Sequence, residues 1–105
     1  MLTPRASGRR AEAGREAMHD GDYVARAVVT LYGKSDCHLC ERARAALLRV
    51  RRDCPFELVE LDIEGDEALQ RAYFDRIPVV AVDGVDLFEY FVDEAVLLAR
   101  LRELH

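Results

Sequence analysis

The chain has 105 residues, half of them hydrophobic and a third charged, enough for one folded core and no second one. A net charge of -5 offers no basic face to nucleic acid, and no apolar run nears the ~20 residues of a membrane span. Three cysteines, two of them spaced C-x-x-C, behind an N-terminus without a continuous apolar leader, point away from a disulfide-stapled secreted domain. The expected setting is a reducing one, the cytoplasm.

Residues 1–24 mix Arg, Ala and Glu with Pro4, Gly8, Gly14 and Gly21. Only Ala11 to Met18 suggests a helix, and its apolar residues are almost all alanine. With so little to bury, this segment is expected to be a disordered extension, and residues 25–105 the folded domain.

The first strand is Val28-Val29-Thr30-Leu31-Tyr32, a β-branched apolar run, followed by the loop Gly33-Lys34-Ser35-Asp36. From Cys37 to Val50 the period becomes helical: Cys40, Ala43, Leu47 and Val50 share one face, Arg42 and Arg49 the other. Pro55 separates this helix from a second strand, Phe56–Ile63, in which Val59, Leu61 and Ile63 alternate on one face. Gly65-Asp66 opens a short helix to about Phe74, with Asp66 as its N-cap. Pro78 leads into the strand Val79–Val82, and Asp83-Gly84 is a two-residue hairpin turn to the strand Val85–Tyr90. Asp93 caps a last helix whose Leu97, Leu101 and Leu104 are expected to face the core. The order β-α-β-α-β-β-α makes an α/β domain. Its first βαβ unit gives parallel strands with a right-handed crossover, and the hairpin adds an antiparallel pair, so a four-stranded mixed sheet flanked by helices is expected.

The chemistry centres on Cys37 and Cys40. A sulfur at the start of a helix lies among N–H groups without intrahelical partners, at the positive end of the helix dipole. That position favours thiolate over thiol by about 2 kcal/mol in a favourable, partly buried geometry. Lys34 adds to the effect and Asp36 opposes it. Cys40 lies one turn on, close enough for a disulfide and on the apolar stripe, so it is expected to be buried and less reactive. Half a zinc site is a competing reading of C-x-x-C, but Cys54, His19, His38 and His105 form no second knuckle. Haem attachment needs histidine where Glu41 stands. His38 reads either as an exposed neighbour of Cys37 or as a group that tunes its thiolate, and Cys54 as a packing cysteine. Tyr32, Tyr73, Phe74, Phe88, Tyr90 and Phe91 read as core, although one near Pro78 is a candidate to line a groove.

The run Leu31-Tyr32-Gly33-Lys34-Ser35-Asp36-Cys37-His38-Leu39-Cys40, followed by Ile77-Pro78-Val79-Val80 and the Asp83-Gly84 hairpin, resembles the glutaredoxins. The likeness is to the small bacterial glutaredoxin-like proteins of the thioredoxin superfamily, over about residues 26–104. It implies a thioredoxin fold, a cis bond at Ile77-Pro78, and a thiol–disulfide oxidoreductase with Cys37 as nucleophile and Cys40 as resolving thiol. It also implies a proline loop whose backbone pairs with an extended thiol substrate, Lys34 near the glycine carboxylate of glutathione and Asp93 near its glutamyl end. The substrate-binding set is thus Lys34, Ile77, Pro78 and Asp93, with His38 beside the nucleophile. Implied partners are protein or glutathione disulfides met by a monomer, with no metal and no tightly bound cofactor, and glutathione as a possible co-substrate. His38 and Leu39 stand where dithiol members usually carry Pro-Tyr. Phe88-Glu89-Tyr90-Phe91-Val92 stands where they carry a Gly-Gly pair, a departure that counts against glutathione. Two other readings remain: a binding or adaptor module using the Pro78 groove, and an iron–sulfur carrier using Cys37 with external thiols.

Deleting residues 1–20 is expected to leave the melting temperature nearly unchanged, because so little apolar surface there can pack. A fall of about 10 °C in a thermal melt would correspond to more than 1 kcal/mol of docking and contradict it.

Overall fold

A computed structural model describes residues 26–104; the expected extension 1–24 lies outside the described residues. The element order is β1 (Val28–Gly33), α1 (His38–Asp53), β2 (Glu57–Asp62), α2 (Glu67–Tyr73), β3 (Val79–Val82), β4 (Val85–Glu89) and α3 (Glu94–Glu103). The strands form one sheet in the order β2-β1-β3-β4. β1 runs parallel to β2 and antiparallel to β3, and β3 is antiparallel to β4, so the sheet is mixed as expected.

β1 and β3 are central. All four residues of β3 are buried. Val29, Leu31, Val80 and Val82 meet Ala43, Leu47 and Val50 of α1 and Leu97 and Leu101 of α3 in one core cluster. Those helices therefore share a face. On the opposite face Tyr32 of β1 stacks on Tyr73 of α2, ring centroids 4.2 Å apart. α2 and α3 begin on the residue type that their free N–H groups call for. Asp66 accepts the Leu69 N–H and Asp93 the Val96 N–H, both at 3.1 Å. The Asp83-Gly84 turn has φ of 49° and 84°, the left-handed pair that a tight hairpin uses and that Asp and Gly tolerate.

Three expectations change. Val59 and Leu61 do share a face, but register sets them beside Thr30 and Tyr32, on the α2 side. The seven-residue α2 buries none of its own residues and leaves Leu61 38% exposed. The α1 side of β2 is packed instead by Leu58, which lies beside Val29. Leu104 falls just beyond α3 and is 45% exposed, whereas Leu97 and Leu101 are fully buried. The aromatics also divide: Phe88 packs on the core, but Phe74, Tyr90 and Phe91 are exposed.

Replacing Leu101 with Ala is expected to cost about 2–5 kcal/mol in urea unfolding, the usual cost of a cavity in a closed core. Leu104→Ala is expected to stay within about 0.5 kcal/mol, as surface changes do. Equal losses would place Leu104 in the core after all.

Candidate active site

Chain register gathers the chemistry at one end of the sheet. Tyr32 lies across from Val79, so the next step sets Gly33 across from Pro78. Val79 lies across from Glu89, which sets Tyr90 beyond Pro78, and the Tyr90 N–H donates to the Pro78 carbonyl at 2.8 Å. α1 starts just after β1 and α3 just after β4, so the caps Cys37 and Asp93 belong to this same end.

Cys37 is the N-cap of α1, in an extended conformation with φ -116°. Its Sγ accepts the Cys40 N–H at 3.1 Å, the bond a capping serine or aspartate would supply. Cys37 and Cys40 are joined as a disulfide with Cα atoms 5.2 Å apart. Cys37 is half-buried at the surface, while Cys40 is 7% exposed. The two cysteines are therefore unequally exposed. A Cβ on Gly33 would lie 3.0 Å from Cys40 Sγ and 3.3 Å from its Cβ, so only glycine lets the first turn of α1 come this close to β1. Asp36, just before the pair, takes φ 58°, which a short polar side chain tolerates.

The remaining expected residues divide between two sides. Ile77-Pro78 is a cis bond. Among the described residues neither the N–H nor the C=O of Ile77 takes part in a backbone hydrogen bond. Asp93 spends one carboxylate oxygen on its own helix. Lys34 lies instead on the β2 side of β1. There it lines a groove of about 250 Å³ with Cys40, Glu41, Arg44 and Glu60. Arg44 Nε donates to both Glu60 oxygens at 3.0 Å, so that groove is largely neutralised. His38 is exposed, its Nδ1 3.9 Å from Glu41. Cys54 is buried in the core cluster, free of the pair. Among the described residues no group of three or more His, Cys, Asp or Glu is placed to hold a metal ion.

Arg76 carried no sequence signal, and Tyr90 carried only that of an aromatic read as core or as lining a groove near Pro78. Arg76 reaches across to β4, donating to Glu89 at 2.7 Å and Asp86 at 3.1 Å, with its guanidinium 5.1 Å from the centre of the Tyr73 ring. Its hydrogen bond to Glu89 raises its pKa further, and burial against Tyr32 and the sheet pushes that of Tyr73 up. Tyr90 takes φ 68°, a left-handed conformation that costs a side chain of this kind about 1–3 kcal/mol. Its hydroxyl donates to the Asp75 carbonyl at 2.6 Å. An aromatic at a strand end is ordinarily core, which is why the pattern alone read it so.

A family described as Glutaredoxin-like domain (DUF836) matches residues 28–102. A Nitrosomonas europaea protein solved in solution is 36% identical, with a TM-score of 0.67, covering 80% of this chain and 99% of that one. An X. campestris protein solved by X-ray is also 36% identical, with a TM-score of 0.61, over 71% and 96%. An uncharacterized Mycobacterium tuberculosis protein is 28% identical over 76 residues, 68% of this chain and 78% of that one. Thioredoxin from Halobacterium salinarum, at 19% identity, matches with a TM-score of 0.56 over 75% and 74%, which establishes the thioredoxin fold.

Gly33→Ala is expected to crowd Cys40 most while its sulfur is held in the disulfide, and less once the thiol can rotate. The dithiol form should gain about 1 kcal/mol on the disulfide, shifting the reduction potential up by about 20 mV. Redox titration against dithiothreitol checks this; an unchanged or lower potential would contradict it.

Proposed function

Because the chain belongs to the Glutaredoxin-like domain family, we propose that it is a thiol–disulfide oxidoreductase in which Cys37 attacks and Cys40 resolves. The observation that carries this reading is the placement of the pair: Cys37 half-exposed as the N-cap of α1, Cys40 buried one turn on. The free N–H groups and positive dipole end at Cys37 favour a thiolate there, while burial disfavours one at Cys40. The Ile77-Pro78 backbone, at the same sheet end, supplies an unpaired donor and acceptor to an extended substrate.

The reaction follows from these positions. The Cys37 thiolate attacks one sulfur of the substrate disulfide, forming a mixed disulfide and expelling the other sulfur as a thiolate that takes a proton from water. Cys40 then loses its proton and attacks the Cys37 sulfur, expelling the second substrate thiolate and closing the Cys37–Cys40 disulfide. Two electrons pass from the dithiol to the substrate, and an external thiol reductant must return them. The reading carries a reducing, cytoplasmic setting and protein or glutathione disulfides as partners. Of the binding residues, Ile77 and Pro78 have the most direct part in it. Lys34 and Asp93 would have to reach the substrate from opposite sides.

In the reduced protein Cys37 is expected to react with iodoacetamide at least about tenfold faster than Cys40 at neutral pH, following its larger thiolate fraction. Cys37→Ser should abolish disulfide reduction, and Cys40→Ser should trap a mixed disulfide on Cys37, detectable by mass spectrometry. Equal, slow alkylation of both, with no exchange in either variant, would sink the oxidoreductase and favour an adaptor built on the same fold.

A further inference from the structure

The proline loop has an aromatic wall fixed along one side. Tyr90 lies in a left-handed region that residues with a Cβ avoid, and two hydrogen bonds hold it there. Its N–H donates to the Pro78 carbonyl at 2.8 Å and its hydroxyl to the Asp75 carbonyl at 2.6 Å. The ring thus runs along Asp75–Pro78, and yet Tyr90 remains 41% exposed. Phe91, next in the chain, is 68% exposed, and neither residue belongs to the core cluster. Folding alone gives no reason to hold the Tyr90 ring partly in water along a loop whose Ile77 N–H and C=O have no backbone partner among the described residues, with Phe91 exposed next to it in the chain. A backbone outlier kept by specific bonds at such a place is a pointer to binding.

Charge narrows the occupant. Arg76 is held by Glu89 and Asp86, and Arg49 by Glu94, at 2.8 Å for its shortest bond. Asp75, whose carbonyl accepts from the Tyr90 hydroxyl, and Asp93, two residues after Phe91, are both exposed. In an extended peptide paired with Ile77 successive side chains alternate, so both residues flanking its cysteine lie on the side opposite the cysteine, where a large one can reach Tyr90 and Phe91. An apolar side chain gains contact area there, and an anionic one meets carboxylates whose neighbouring arginines are engaged.

We propose that Tyr90 and Phe91 are specificity-determining residues, selecting protein disulfides whose attacked cysteine adjoins an aromatic or large aliphatic residue, over anionic disulfides such as that of glutathione. The assignment rests on the oxidoreductase reading above and names its substrate class.

The test uses the reduced full chain in single turnover. Its substrates are two symmetric peptide disulfides, identical except for Phe or Asp beside the cysteine, and glutathione disulfide. The Phe peptide is expected to react about tenfold faster than the Asp peptide, the scale of one good aromatic contact, and faster than glutathione disulfide. In Phe91→Ser the ratio between the two peptides should collapse toward one, and in Phe91→Leu, which keeps apolar bulk, most of it should return. A ratio near one in the wild type, a ratio unmoved by Phe91→Ser, or glutathione disulfide reacting as fast as the Phe peptide would overturn the assignment and leave dithiol exchange standing. Reaction with none of the three would overturn both.

Discussion

A methyl group on Gly33 would sit 3.0 Å from Cys40 Sγ, inside the distance at which such atoms normally stop. The missing side chain is what lets α1 settle against the end of β1, and the redox end of the molecule depends on that contact. With α1 seated, Cys40 joins the buried face that includes Ala43, Leu47 and Val50. Cys37 is left at the N-cap, with its sulfur bonded to the Cys40 N–H. The N-cap position and the apolar stripe of α1 set the two thiols apart, and the close approach at Gly33 seats them against β1.

The two faces of the sheet are built unequally, and the thin one is held by polar contacts. α1 and α3 supply the aliphatic core, while α2 contributes no buried residue and is fixed through the Tyr32–Tyr73 stack and through Arg76. Arg76 ties the segment before Pro78 to β4 through Glu89 and Asp86, and its Nη1 donates to the Ala72 carbonyl at 3.2 Å. Partly exposed ion pairs of this kind contribute little stability, commonly under about 1 kcal/mol each. Their effect is positional: together with the Tyr90 hydroxyl they hold the chain from Asp75 to Pro78 on the sheet beside the cysteines.

Wherever local chemistry was sufficient, the sequence was legible. Asp66, Asp83-Gly84 and Asp93 each act on residues within a few positions of themselves, so caps and hairpin were readable as motifs. The apolar stripe of α1 was readable for the same reason, since its period needs only its own helix. Legibility failed at Leu61, Leu104 and the exposed aromatics. Alternation tells which residues share a face of β2, but only the short, polar α2 decides how well that face is covered. Tyr90 adopts its left-handed conformation because of acceptors 12 and 15 residues earlier, at Pro78 and Asp75, and no local pattern encodes such partners.

By itself the sequence determined the order of elements, the mixed sheet, the dithiol at a helix start and the proline that follows it, because each rests on periodicity, capping or short spacing. The tertiary structure alone decided that Gly33 makes room for Cys40, that Lys34 lines the far side of β1 from the proline loop, and that Tyr90 and Phe91 stand in solvent beside it. Those outcomes depend on distances between segments far apart in the chain, which are fixed only when the sheet register and the helix packing are set together.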